Sequence, residues 1–238
     1  MLDAEKAPIR AQLEQRLRDF CARAQIQEAL ISEGTMGQRW QAIQSLLAEA
    51  AQGLYQLATC RYEGVTDRWH ADHYTALIWC QSGWPMAQAI SVLEGLLSAA
   101  CGAEVQCDKR SLRDAFLARL GFDPISQSVV MLRQQASRLG LRPALPDDRN
   151  VWLAYLLDQM IKPTLGLEAP LILTEMTEDE SRSHPVQTVA QLYIDGIRIA
   201  KIIQHADPRQ ETGQTCSILL GVDRLLMFLL DTRRIDQV

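Results

Sequence analysis

Cys216-Ser217-Ile218-Leu219-Leu220-Gly221-Val222-Asp223-Arg224-Leu225-Leu226 decides how the rest of this chain is read. Cys216 to Leu220 is an apolar run of strand length, and Gly221 to Leu230 carries apolar residues at helical spacing, so a strand hands over to a helix at Gly221. Asp223 and Arg224 fall in the first helical turn. The unpaired N–H groups and the helix dipole there favour an acid, and equally favour a bound anion that Arg224 could grip. A capping acid followed by a surface arginine would explain the pair without a ligand.

Upstream, Val189 to Ile194 and Ile197 to Ile203 flank Asp195-Gly196. An Asp-Gly pair between apolar stretches predicts a hairpin, because a tight primed turn needs positive φ at both central residues. Leu171 to Thr174 is a short strand, and the polar stretch Thr177 to Pro185 is a loop. Leu54 to Tyr62 and His73 to Cys80, separated by the polar segment Glu63 to Asp72, form a candidate antiparallel pair. Ile9, Leu13, Leu17, Phe20, Cys21 and Ala24 mark a first amphipathic helix. Trp40, Ile43, Leu46, Leu47, Ala50 and Ala51 mark a second, with Gly53 as its stop. A third follows from Met86, Ile90, Leu93, Leu97 and Ala100, with Pro85 in a first turn that tolerates proline. Leu112 to Leu120, Ser126 to Leu139 and Asp148 to Ile161 also have helical spacing. Together these give an α+β class, a predominantly antiparallel sheet flanked by helices, in one domain over residues 1–238.

The 238 residues are 47% hydrophobic and 22% charged, which excludes long disorder and an extracellular disulfide scaffold. A net charge of -5 gives no support to a broad basic surface for nucleic acid. Cys21, Cys60, Cys80, Cys101, Cys107 and Cys216 form no Cys-x-x-Cys pair, and no signal-like segment opens the chain, so reduced thiols in a cytoplasmic protein are expected. No apolar run approaches the roughly 20 residues of a membrane span. His70-x-x-His73 has only Asp72 and Cys80 nearby as further ligands, so no metal site is expected. Glycine-rich nucleotide loops, P-loops and nucleophile elbows are missing.

Tyr55 to Glu63, Arg68-Trp69-His70 and Tyr74 to Trp79 resemble motif 2 of the class II aminoacyl-tRNA synthetases. The form is that of the lysyl-tRNA synthetase and elongation factor P lysine ligase group: F-R-x-E, a variable loop, then H-x-x-E-F-T-x-L-E-W. Arg61, Glu63, His70, Thr75, Leu77 and Trp79 match, while His73 and Ile78 stand where the group carries glutamates. Leu220 to Leu225 resembles motif 3 at the same strand-to-helix junction. Asp147-Asp148-Arg149 to Pro170 and Tyr193 to Asp207 follow the group's order, so the resemblance covers most of the chain. Two departures stand out. The interval Gln27 to Gly53 is short for motif 1 and the strands after it, and lacks the motif's proline. The amino-acid-binding and metal-binding strand, roughly G-I-E-L-A-N-G in the group, is here Gly196-Ile197-Arg198-Ile199-Ala200-Lys201-Ile202.

The resemblance implies an ATP-dependent ligase that forms an aminoacyl-adenylate and transfers the acyl group to a protein or small carrier. Arg61 would hold the α-phosphate and the substrate carboxylate, offsetting repulsion between two anions. Arg224, with Gly221 and Asp223 beside it, would hold the γ-phosphate; Glu63 and His70 would meet the nucleotide base or its loop. His73, Arg198 and Lys201 would line a substrate pocket. A lysine-type substrate is not expected, because an ammonium group requires carboxylates and His73, Ile78 and Arg198 replace three candidates; a cationic pocket suits an anion better. Arg198 argues against Mg²⁺ as well, since a guanidinium offers donors only. A homodimer is implied by the group. tRNA charging is not expected, because no anticodon-binding domain fits in this length. The alternative is a catalytically impaired paralogue that binds a nucleotide, a metabolite or a partner protein; the motif 1 region and the new cations favour it.

Overall fold

The computed structural model describes residues 6–32, 34–47, 49–50, 53–178, 187–206, 214–232 and 234–238. In chain order its elements begin with α1 (Ala7–Arg23), β1 (Gln27–Glu28), α2 (Met36–Leu47), β2 (Leu54–Arg61), β3 (His73–Ser82) and α3 (Met86–Cys101). The middle holds β4 (Asp108–Ser111), α4 (Leu112–Leu120), α5 (Val129–Arg138) and α6 (Arg149–Leu156). Strands β5 (Leu171–Glu178), β6 (Gln187–Ile194), β7 (Ile197–Ala206) and β8 (Gln214–Gly221) follow, then α7 (Val222–Leu229). Two compact units result: Met1–Gln106 with Thr177–Ala190 and Ile199–Val238, and Cys107–Met176 with Gln191–Arg198.

In the first unit β2 and β3 pair antiparallel from Leu54↔Cys80 to Arg61↔His73. The other side of β3 pairs antiparallel with β8, from Ala76↔Gly221 to Ser82↔Thr215, and β8 pairs antiparallel with β7. Strand alternation divides the side chains. Thr75 and Trp79 point to the face under α1, where Phe20 lies 6.3 Å from Trp79 between ring centroids. Ile78 and Cys80 point to the other face, where α2 covers them with Ile43 and Leu47. Each of these fully buried aliphatic side chains contributes about 2 kcal/mol by leaving water.

Each unit also holds one parallel pair beside the expected antiparallel ones. β1 pairs parallel with β2, and in the second unit β4 pairs parallel with β5. Neither short strand was expected: Gln27-Glu28 and Asp108-Lys109-Arg110-Ser111 are polar and carry no alternation, so only their partners reveal them. Helix starts are sharper than periodicity alone suggests. Thr35 and Gln38 form a reciprocal cap, Thr35 N–H donating to Gln38 Oε1 at 2.9 Å and Gln38 N–H to Thr35 Oγ1 at 3.2 Å. α2 therefore begins at Met36 and ends at Leu47, leaving Ala50 outside it and Leu46 exposed; Ala51 lies outside the described residues. Pro85 precedes α3 instead of sitting in its first turn. Ser128 and Asp148 cap α5 and α6 through backbone N–H groups, which moves those helix starts to Val129 and Arg149. Leu157–Ile161 continues as a wider π-turn before Pro163. The expected loop Thr177 to Pro185 opens as the end of β5 and otherwise lies outside the described residues.

In the second unit Phe116, Leu132, Trp152, Leu156, Ile161 and Leu165 are buried, as are Leu171, Ile172 and Leu173 of β5. Its hairpin turn has φ of 55° at Asp195 and 76° at Gly196, as the primed turn requires. The turn is held from outside: Asp195 N–H donates to Gly166 O at 2.7 Å and Gly196 N–H to Leu165 O at 2.8 Å. Gly166 itself has φ +70°, and a Cβ there would sit 2.4 Å from Tyr193 O. Among the described residues no helix is long and apolar enough to cross a membrane. Gly166→Ala is expected to cost roughly 2 kcal/mol or more, from positive φ and a backbone clash together. Urea unfolding followed by tryptophan fluorescence measures it, and an unchanged midpoint would refute the packing argument.

Candidate functional site

β3 links the two sequence motifs. Its His73 lies opposite Arg61 of β2, and three residues on, Ala76 lies opposite Gly221 of β8. Three residues of strand span about 10 Å, so Arg61 and the Gly221–Arg224 turn share one end of the sheet. Gly221 is the N-cap of α7 with φ -79°, and no side chain caps it. Arg61 closes β2, is largely exposed, and faces Glu63 at 3.4 Å. Such a surface pair is worth little, so Arg61 remains able to exchange Glu63 for a stronger anion.

Asp223 is buried at 6% exposure and engaged on both sides. Its Oδ2 accepts the Thr75 backbone N–H at 2.9 Å, and its Oδ1 lies 2.6 Å from Arg10 Nη1. The second contact is a close ion pair without an aligned hydrogen bond. Arg10 also donates to Thr75 Oγ1 at 3.2 Å. One carboxylate thus fastens α7 to β3 and to α1. Arg10 was not foreseen; nothing in the spacing of α1 distinguishes it from a solvated arginine.

The segment between β2 and β3 is folded on itself. His70 stacks on Tyr62 with centroids 4.7 Å apart and planes 14° from parallel, and its Nδ1 lies 2.8 Å from Asp67 Oδ1. Asp67 and His70 exchange backbone hydrogen bonds, and the Arg68 guanidinium lies 4.5 Å from the Trp69 ring centroid. Arg224 Nε reaches Trp69 O at 3.4 Å, and Ile235 N–H donates to Arg68 O at 2.9 Å. The expected motif residues Arg224 and His70 therefore belong to one connected loop-and-helix assembly.

Thr59, Arg61 and His73 share one strand face by alternation, whereas Tyr74, Ala76 and Ile78 share the other. Ile78, at one of the group's glutamate positions, is sealed beneath Ile43 and Leu47 of α2. Lys201 pairs across β7 and β8 with Leu219 and is half-buried. Arg198 is exposed and belongs to the second unit. Among the described residues no group of three or more His, Cys, Asp or Glu is disposed to hold a metal.

A depression of about 460 Å³ opens between Gly34, Gln38 and Arg39 on one side and Thr59, Arg61 and His73 on the other. Sequence reasoning named Arg61 and His73 but missed Arg39, because an arginine on an amphipathic helix reads as surface. Arg39 is 6% exposed. Its guanidinium spans a gap where the chain before α2 leaves β2: Nη1 donates to Ile31 O at 2.9 Å and to Gln56 Oε1 at 3.1 Å, and Nη2 donates to Thr59 O at 3.1 Å.

No family model matches the chain. Among curated proteins it is similar to elongation factor P–(R)-β-lysine ligases. That of Proteus mirabilis is 25% identical over 235 residues, covering 81% of this chain and 72% of the relative. Those of Actinobacillus succinogenes and Edwardsiella ictaluri are 24% and 23% identical, with the same coverage of both chains.

Two outcomes are expected from this geometry. Asp223→Ala leaves Arg10 largely buried without its partner and should lower stability by roughly 3 kcal/mol in urea unfolding; a loss below about 0.5 kcal/mol, the range of a surface change, would refute the fastening role. Asp67 is held below its ordinary carboxylate range, first by the Trp69 N–H and then by His70. A group whose pKa falls on folding stabilises above its unfolded value and loses that contribution as pH drops through the folded one. The protection factor of the Trp69 amide should therefore fall on acidification below the usual carboxylate range, and be low at every pH in Asp67→Ala.

Proposed function

We propose that this chain, a divergent homologue of the elongation factor P–(R)-β-lysine ligases, is an ATP-dependent ligase with a class II synthetase-like catalytic fold that acylates a protein. The observation that carries this reading is the register of β3, with Arg61 and the Gly221–Arg224 turn at one end of the sheet. In the reaction a carboxylate oxygen attacks the α-phosphorus of ATP and pyrophosphate leaves. An amine of the acceptor then attacks the acyl carbon, AMP leaves with the bonding pair, and the amine loses a proton. Arg61, drawn from Glu63, offsets the repulsion between carboxylate and α-phosphate. Arg224 and the uncapped N–H groups of α7 suit the terminal phosphate. The stacked Tyr62 and His70 offer an aromatic surface to the base, with Glu63 as an acceptor for its amino group. No step is assigned to a metal.

Elongation factor P is the acceptor to assay first, because the relatives are named for it, and a homodimer is the proposed assembly. The acyl substrate of this reading differs from lysine, since the glutamate position held by Ile78 is sealed by α2 and offers no carboxylate to an ammonium group. That same burial of Ile78 favours a second reading, a paralogue that binds nucleotide without acyl transfer. Exchange of labelled pyrophosphate into ATP, run with a panel of amino and other carboxylic acids, separates the two. The ligase reading expects exchange with an acid lacking a second ammonium, and a fall of roughly 100-fold in Arg61→Ala and in Arg224→Ala. Silence with every acid, alongside saturable ATP binding, sinks it in favour of the second.

A further inference from the structure

We infer that the depression beside Arg39 is an anion subsite, which takes a small carboxylate- or phosphate-bearing ligand through Arg39, Arg61 and His73. The Arg39 guanidinium is buried, and its three hydrogen bonds run to two backbone carbonyls and the neutral amide of Gln56. Its Nε is buried without a partner, and no carboxylate pairs with it among the described residues. Burial pushes the Cys60 thiol up, with Arg39 only partly opposing that, so Cys60 stays neutral and supplies no counter-charge. A buried cation among neutral acceptors is costly, and proteins normally compensate it with an anion.

The depression supplies the room. It is about 460 Å³, the size range of small-molecule sites. Arg61 and His73 line it on the strand side and Gln38 on the helix side, and no acidic side chain is among its lining residues. Arg39 provides a fixed, pre-oriented positive field, because α2 and β2 hold the guanidinium on both sides. Arg61 is exposed and its surface pair with Glu63 is weak, so little opposes its turning to a ligand. The role of this subsite in holding an anionic acyl substrate, or a phosphate of the nucleotide, rests on the ligase reading. Anion binding itself does not.

Calorimetric titration of the full chain at low salt, with pyrophosphate, ATP and a short dicarboxylate as separate probes, tests the subsite. At least one probe should saturate at micromolar to millimolar concentration and weaken with salt. Gln38→Glu, an exposed change that puts an anion into the depression, and Arg61→Ala should each weaken it roughly tenfold or more, with circular dichroism unchanged. A dicarboxylate response identifies an acyl-substrate site; a response confined to pyrophosphate and ATP identifies a phosphate site, and either supports the inference. Absence of saturable binding by all three probes overturns it. So does binding that both variants leave unchanged while Arg224→Ala abolishes it. Anion binding without pyrophosphate exchange would leave the subsite standing and sink the ligase reading alone.

Discussion

The carboxylate of Asp223 is the constraint on which the first unit's functional end depends. It accepts the N–H of Thr75 from β3 and sits against the guanidinium of Arg10 from α1, so a single buried group sets where α7 begins. No side chain caps the first turn of α7. Because Arg224 follows Asp223 directly, the same fastening fixes its backbone beside the Arg68–Trp69 loop. Asp223 and Arg224 are thereby held in place by contacts within the protein itself.

The sheet distributes its two faces unequally. Under α1 and α3 the side of Thr75, Leu77 and Trp79 is filled by helix packing and aromatic contacts. On the opposite side α2 is anchored by polar as well as apolar contacts. Trp40 Nε1 donates to Ser217 Oγ at 2.9 Å, and Gln44 meets His205 Nε2 at 3.1 Å. Ile43 and Leu47 are essentially inaccessible there. A helix held this way is part of the core. The space open to a small ligand is consequently displaced to the margin of β2, where Arg39 bridges the gap left by the chain before α2. That margin is lined by Arg39, Arg61 and His73, with no acidic side chain among its lining residues.

Much of the fold was legible because its signals are local. The strand-to-helix change at Gly221, the Asp195-Gly196 turn and the apolar spacings of α1, α3 and α4 each depend on a few neighbouring residues, and each element formed where its pattern lay. The caps at Thr35, Ser128 and Asp148 were also written locally, in side chains that periodicity does not weigh. β1 and β4 were not legible. Two and four polar residues become strand only when a neighbouring backbone offers hydrogen bonds.

By itself the sequence determined the α+β class and the order of most elements, since these follow from hydrophobic period and turn chemistry, while resemblance to known motifs singled out Arg61 and Gly221 to Arg224. Only the tertiary structure decided which arginines are buried. Arg10 and Arg39 look like solvated helix residues until Asp223 and the margin of β2 enclose them, from 213 and 17 or more positions away along the chain. It likewise decided that Ile78 is sealed and that Arg61 and His73 face together. Charge and strand parity can be read from one segment, but burial is a property of what another segment brings to it.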